Sequence, residues 1–245
     1  MQRWRGRGWR VGAVWVLGVI SVGLARPQAR GQDQGPGVDR PVLARRNYAA
    51  WEKEIAAFEA ADREKMPPEG GIVFTGSSTI RLWKTLAEDY AGLPVINRGF
   101  GGSEIADATH FAERIIFPYK PKTIVLRAGG NDIHNGRRPS EVVRDFADFV
   151  AVVRSRLPKA EIIFIGTNAT PSRWGENDKI RAMNDAVRAL AVEMPFVTYI
   201  DAYDVALTPD GKGRPELFVA DRLHFNPDGY KLLTERVRPY LPQPK

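Results

Sequence analysis

Five short runs of β-forming residues alternate with longer stretches of helical period, and this alternation constrains the fold more than any other feature of the 245-residue chain. The runs are "GIVFTG" (71–76), "PVINRG" (94–99), "KTIVLRAGG" (122–130), "AEIIFIGTN" (160–168) and "FVTYID" (196–201). Apolar stretches this short, bounded by glycine and other turn residues, read as buried strands. Between them lie helical patterns at about 79–90, 103–115 (opened by Ser103), 139–157 and 177–194, with a last one at 227–240. That last helix opens on Asn226 as cap with Pro227 at its first position, a favourable start. A further amphipathic helix at 42–65 carries Tyr48, Trp51, Ile55 and Phe58 at spacings of three and four.

Strands buried on both faces and separated by helices imply a mostly parallel sheet in a three-layer α/β/α sandwich. Five such units without a glycine-rich dinucleotide fingerprint fit a flavodoxin-like sheet of order 2-1-3-4-5. In such sheets function gathers beyond the carboxyl ends of the strands, near the point where the order reverses.

The first 31 residues are of a different character. Arg3, Arg5, Arg7 and Arg10 precede the uncharged apolar stretch 11–25, which gives way to small residues. These are the parts of a secretory signal peptide. The apolar stretch is shorter than the roughly 20 residues of a spanning helix, so an uncleaved anchor is the lesser alternative. Residues 32–41, "QDQGPGVDRP", read as a linker, and 42–245 as a single domain. Residues 1–31 hold six arginines and no acid, so the formal charge of +7 falls to +7 − 6 = +1 without them. The basic character belongs to the targeting segment and gives no ground for nucleic-acid binding. With no cysteine, disulfides and a lipid-modified cysteine are both excluded.

Four motifs fall at the carboxyl edge of the expected sheet. They are Gly76-Ser77-Ser78 after the first strand, "NRGFGG" (97–102) after the second, "GGND" (129–132) after the third, and "DRLH" (221–224) beyond the fifth. A serine hydroxyl is a poor nucleophile until an oriented base takes its proton. Ser78, His224 and Asp221 supply nucleophile, base and orienter. The developing oxyanion needs donors, and the candidates are the N–H of Ser78 at a helix start, the N–H of Gly102 and the side-chain amide of Asn131.

Together these motifs resemble the SGNH, or GDSL-type, hydrolases over about 71–240. The resemblance implies the same fold, ester hydrolysis through a serine acyl-enzyme without cofactor or metal, and the roles just given to Ser78, Gly102, Asn131, Asp221 and His224. The usual G-D-S is replaced by Gly76-Ser77-Ser78, which looks like a G-S-S-x-I-R variant found among secreted, often carbohydrate-related members. The substitution makes Ser77 a rival to Ser78. Ser78 is favoured because it occupies the third position of the motif, and Ser77 is expected to tie down its own turn through its hydroxyl.

The remaining candidates are less specific. Arg173 and Trp174, in the loop after strand 4, and His134 in "NDIHNG" are candidates for substrate contact; His110 reads as a plain helix residue. Arg81 and Trp83 are expected to pack the first helix. Asp201 and Asp204 lack a histidine three residues on, so Asp221 is preferred as orienter. A zinc site from Asp132, His134, Asp221 and His224 lacks helical ligand spacing. In "GFGGSE", Glu104 occupies the place of the third glycine of a phosphate-binding loop. The expected function is hydrolysis of short-chain esters, including acetyl groups on glycans. The alternatives are a lipid acyl ester or thioester hydrolase and a non-catalytic glycan-binding domain of the same fold.

Overall fold

The computed structural model describes residues 46–242. The predicted signal segment, linker and residues 42–45 lie outside them. In chain order the elements are α1 (Glu52–Glu64), β1 (Ile72–Gly76), α2 (Ser78–Arg81), α3 (Leu86–Asp89), β2 (Val95–Gly99), α4 (Ile105–His110) and α5 (Ala112–Ile115). They continue with β3 (Thr123–Arg127), α6 (Gly130–His134), α7 (Pro139–Arg156), β4 (Glu161–Ile165), α8 (Asn177–Val192), β5 (Val197–Ile200) and α9 (Pro227–Val237). All neighbouring strand pairs are parallel, in the order β2-β1-β3-β4-β5. This is the expected flavodoxin-like sheet.

The strands read as continuous apolar runs because both faces are covered. Val73, Ile124, Leu126, Ile162 and Phe164 point into one core, shared with Ile55 of α1, Phe146 and Phe149 of α7 and Met183 and Val187 of α8. Their neighbours Ile72, Phe74, Val125, Ile163 and Ile165 point into the other. There they meet Ile80, Trp83, Leu86 and Tyr90 and, from α9, Tyr230, Leu233 and Val237. The period of two along each strand thus divides one hydrophobic run between two layers.

Several helix boundaries differ from the sequence expectation. The stretch 79–90 forms two short helices, because Trp83 buries its ring between them and its indole N–H donates to Asp89 Oδ2 at 2.6 Å. Thr85 Oγ1 donates to the same oxygen at 2.7 Å. The second helical pattern starts at Ile105 and not at Ser103: Glu104 is the cap, its N–H donating to Asp107 Oδ2 at 2.7 Å, while Ser103 Oγ donates to Phe100 O. That pattern also breaks at Phe111. The last helix ends at Val237 and runs on as a 3-10 turn, Arg238–Tyr240. Its start is as expected, with Asn226 Oδ1 accepting the Gly229 N–H at 3.0 Å.

Gly76 closes β1 at φ +122°, and a Cβ there would lie 2.1 Å from Arg127 O on β3. Both the backbone conformation and the close approach of two strands require glycine. Gly76→Ala is expected to destabilise the fold by about 3 kcal/mol, combining left-handed strain with a forced backbone shift. Urea denaturation checks this, and an unchanged midpoint would contradict it.

Candidate active site

The carboxyl ends of β1 and β3 meet at the reversal of strand order, and their backbones place the serines. The Ser77 N–H donates to Arg127 O at 3.0 Å, and the Ser77 carbonyl accepts from Ile80 N and Arg81 N. Ser77 is therefore the N-cap of α2 and Ser78 its first residue. Contrary to expectation, the Ser77 hydroxyl makes no capping bond; the main chain ties the turn. From β2, Asn97 Nδ2 donates to Ile80 O at 2.6 Å and fixes α2 from the other side.

His224 reaches this point from a long loop. Asp221 Oδ1 accepts the N–H groups of Leu223 and His224 at 2.9 and 3.0 Å. Its Oδ2 lies 2.6 Å from His224 Nδ1. Arg222, at φ +56°, makes the left-handed step that closes this turn. On the far side of the ring, His224 Nε2 lies 2.8 Å from Ser78 Oγ. Burial raises the Asp221 pKa, but the hydrogen bonds from His224 and Leu223 outweigh it and hold the carboxyl down at about 2. At neutral pH it is an anion. One tie was not visible in the sequence: Tyr230 of α9 donates its OH to Thr79 O at 2.8 Å, clamping the histidine loop against α2.

The three expected oxyanion donors come from three elements. Among the described residues, neither the Ser78 nor the Gly102 N–H has a hydrogen-bond partner. Asn131, in the first turn of α6, donates one amide proton to Ser103 O at 3.1 Å and keeps the other. Gly102 sits at φ +76°, yet a Cβ there would meet no protein atom within 4 Å. Within the protein, the demand for glycine at this position is conformational rather than steric.

Ser78, Asn131 and His224 line a cleft of about 60 Å³. One wall is polar, with Thr167, Asn168, Thr170, Glu176 and Asn177; Ile180, Leu223 and Phe225 supply apolar surface. Arg127, only 4% exposed, lies at its base with Nη1 on Gly166 O at 2.5 Å and Nη2 on Asn168 Oδ1. Burial, with no carboxylate partner among the described residues, pushes this guanidinium down to about 10.

The weaker candidates separate. Arg173 lines the cleft; Trp174, 46% exposed, does not, and faces an adjoining groove with Pro171, Gly213, Pro215 and Arg222. His134 lies outside the cleft lining, half exposed, with Nδ1 2.7 Å from Glu176 Oε1. His110 stacks on Tyr48 at 3.7 Å. Trp83 is buried as expected, whereas Arg81 is partly exposed and faces Glu54 at 3.8 Å. Asp132 is buried and accepts backbone N–H groups. No cluster of three His, Asp or Glu residues suited to a metal ion occurs among the described residues.

The sequence profile of the GDSL-like lipase/acylhydrolase family matches residues 70–232, more than half of the chain. The chain belongs to this family. It is a carboxylic ester hydrolase of the GDSL, or SGNH, type. No curated protein matches it by sequence. Among solved structures it is similar to a protein from Streptococcus pneumonia provisionally named a platelet activating factor, with 19% identity and a TM-score of 0.70. That match covers 79% of this chain and 94% of the other. A GDSL-like lipase from Bacteroides thetaiotaomicron is 18% identical, with a TM-score of 0.63 over 79% of this chain and 96% of the other. A catalytic mutant of an acetylxylan esterase from Geobacillus stearothermophilus is 15% identical, with a TM-score of 0.57 over 70% and 94%. At these identities the likeness bears on the fold alone.

Proposed function

We propose that this hydrolase cleaves short-chain carboxylic esters, acetyl groups on glycans among them, through Ser78, His224 and Asp221. The observation that carries the reading is the unbroken chain from Ser78 Oγ to His224 Nε2 at 2.8 Å and from His224 Nδ1 to Asp221 Oδ2 at 2.6 Å. His224 takes the hydroxyl proton as Ser78 Oγ bonds to the ester carbonyl carbon. The tetrahedral oxyanion is held by Ser78 N–H, Gly102 N–H and Asn131 Nδ2. The C–O bond to the alcohol then breaks, and His224 returns the proton to the leaving oxygen. Water, deprotonated by His224, attacks the acyl-enzyme in the same way, releasing the acid and restoring Ser78. Asp221 keeps the imidazole in the productive tautomer and stabilises its cationic form.

The substrate class rests on the cleft. A volume of about 60 Å³ is well below the roughly 300–1,000 Å³ of pockets that enclose drug-sized ligands. It suits an acetyl-sized acyl group better than a long chain. The polar wall offers hydroxyl, amide and carboxylate groups to a polyhydroxylated alcohol. A structurally similar protein is named an acetylxylan esterase, in keeping with this choice. Residues 1–31 are proposed to export the enzyme and to be removed on the way.

The test uses residues 32–245 with p-nitrophenyl acetate, butyrate and octanoate, beside a fluorophosphonate probe. Covalent labelling is expected, with kcat/KM falling at least about 10-fold from acetate to octanoate as the chain outgrows the cleft. Preference for octanoate would favour a lipid substrate. Inertness to every ester and to the probe would favour the binding-domain alternative.

A further inference from the structure

The loop after β4 sends one side chain into the cleft lining, and its partners are unusual. Arg173 lies in the 3-10 segment Pro171–Glu176 but departs from helical geometry, at φ −121° and ψ 30°. Its Nη1 donates to Asn131 Oδ1 at 3.1 Å and to Gly130 O at 3.2 Å. No carboxylate comes within salt-bridge distance of it among the described residues; Glu176 acts on its charge from farther away. Burial disfavours its charged form, so a half-buried cation is spent on two neutral oxygens of the GGND loop.

We infer that Arg173 is a positioning residue for the reaction, orienting and polarising the Asn131 amide that serves the oxyanion. This inference rests on the proposed function. The Asn131 side chain is held at both ends, with Oδ1 on Arg173 Nη1 and one Nδ2 proton on Ser103 O. The remaining Nδ2 proton is the one left for substrate. A flipped amide would set its nitrogen against the guanidinium and its oxygen against Ser103 O, so the two contacts select one orientation. A cation bound to the amide oxygen also draws electron density from the nitrogen, making the remaining N–H a stronger donor where the dielectric is low. The second bond, to Gly130 O, fixes the first turn of α6, on which Asn131 sits. Arg173 therefore acts through Asn131. This role adds to the direct substrate contact expected for it from the sequence, with which its place in the cleft lining is compatible.

A double-mutant cycle in the full chain separates the two roles, with p-nitrophenyl acetate as substrate. Arg173→Ala is expected to lower kcat about 10-fold with KM within about 2-fold, because the lost interaction matters only in the transition state. In an Asn131→Ala background the same change is expected to cost less than about 2-fold, since the residue it acts through is gone. Arg173→Lys, which can still place a charge on one of the two oxygens, is expected to recover more activity than Arg173→Gln. That contrast also covers the case in which Arg173→Ala does not fold. An equal loss in both backgrounds, a raised KM at unchanged kcat, or equal Lys and Gln variants would overturn the inference while leaving the esterase reading intact. A wild type that neither turns over ester nor labels would remove both.

Discussion

Ser78→Ala is expected to lower ester turnover by a factor on the order of 10⁴–10⁶ and to abolish fluorophosphonate labelling, the usual consequence of deleting a triad nucleophile. Ser77→Ala is expected to stay within about 3-fold of wild type, since the cap loses no side-chain bond. The two hydroxyls are neighbours in sequence but not in chemistry. Ser78 Oγ lies 2.8 Å from His224 Nε2. Everything Ser77 contributes to the turn is backbone: its N–H on Arg127 O and its carbonyl under Ile80 N and Arg81 N. Alanine keeps all three bonds. A dead Ser77→Ala with a live Ser78→Ala would shift the motif register by one residue. Two dead variants with native circular dichroism would mean that the Ser77 hydroxyl contacts substrate, since both serines line the cleft.

What the sequence reveals here is whatever is encoded over short distances. Strand runs were legible because burial on both faces leaves three consecutive apolar residues at the centre, Ile72 to Phe74 in β1 and Ile124 to Leu126 in β3. Asp221 and His224 were legible because one carboxylate bonds the backbone two and three residues on and then the imidazole, so spacing and function coincide. The break between α2 and α3 was not legible, because Trp83 is drawn into a core built from Phe74, Tyr90 and Tyr230 and its indole N–H finds Asp89. Nor was the separation of Arg173 from Trp174. Adjacent residues in a 3-10 segment diverge, one lining the cleft and the other an outer groove. The Tyr230 bond to Thr79 spans 151 positions, and nothing local in either residue announces it.

Asp132→Ala is expected to lose about 4 kcal/mol of stability, because Asp132 is 0% exposed and accepts two backbone N–H groups whose orphaning costs about 1–3 kcal/mol each. Its Oδ1 holds Ile105 N at 3.2 Å and its Oδ2 holds Gly129 N at 3.0 Å. One carboxylate thus joins the loop that carries Gly102 to the loop that carries Asn131, so kcat is expected to fall together with stability. For about 200 folded residues the melting temperature should drop by on the order of 10 °C. The pH dependence supplies a second readout. Burial, followed by the nearby Glu104 charge, pushes the Asp132 carboxyl up to about 7, against about 3.9 in an unfolded chain. Burial likewise pushes Asp107, in the first turn of α4, up to about 6. Between those limits the native state binds more protons than the unfolded one, so stability falls as pH rises from about 4 to about 7 and levels off above. Asp132→Asn keeps the shape and removes the titration. Its amide can accept only one of the two N–H groups and sets a donor against the other, so the variant should be less stable at every pH, with a shallower decline across that window. Urea midpoints for wild type and Asp132→Asn at pH 4, 5.5, 7 and 8.5 would decide it; parallel curves would mean that Asp132 does not titrate differently on folding.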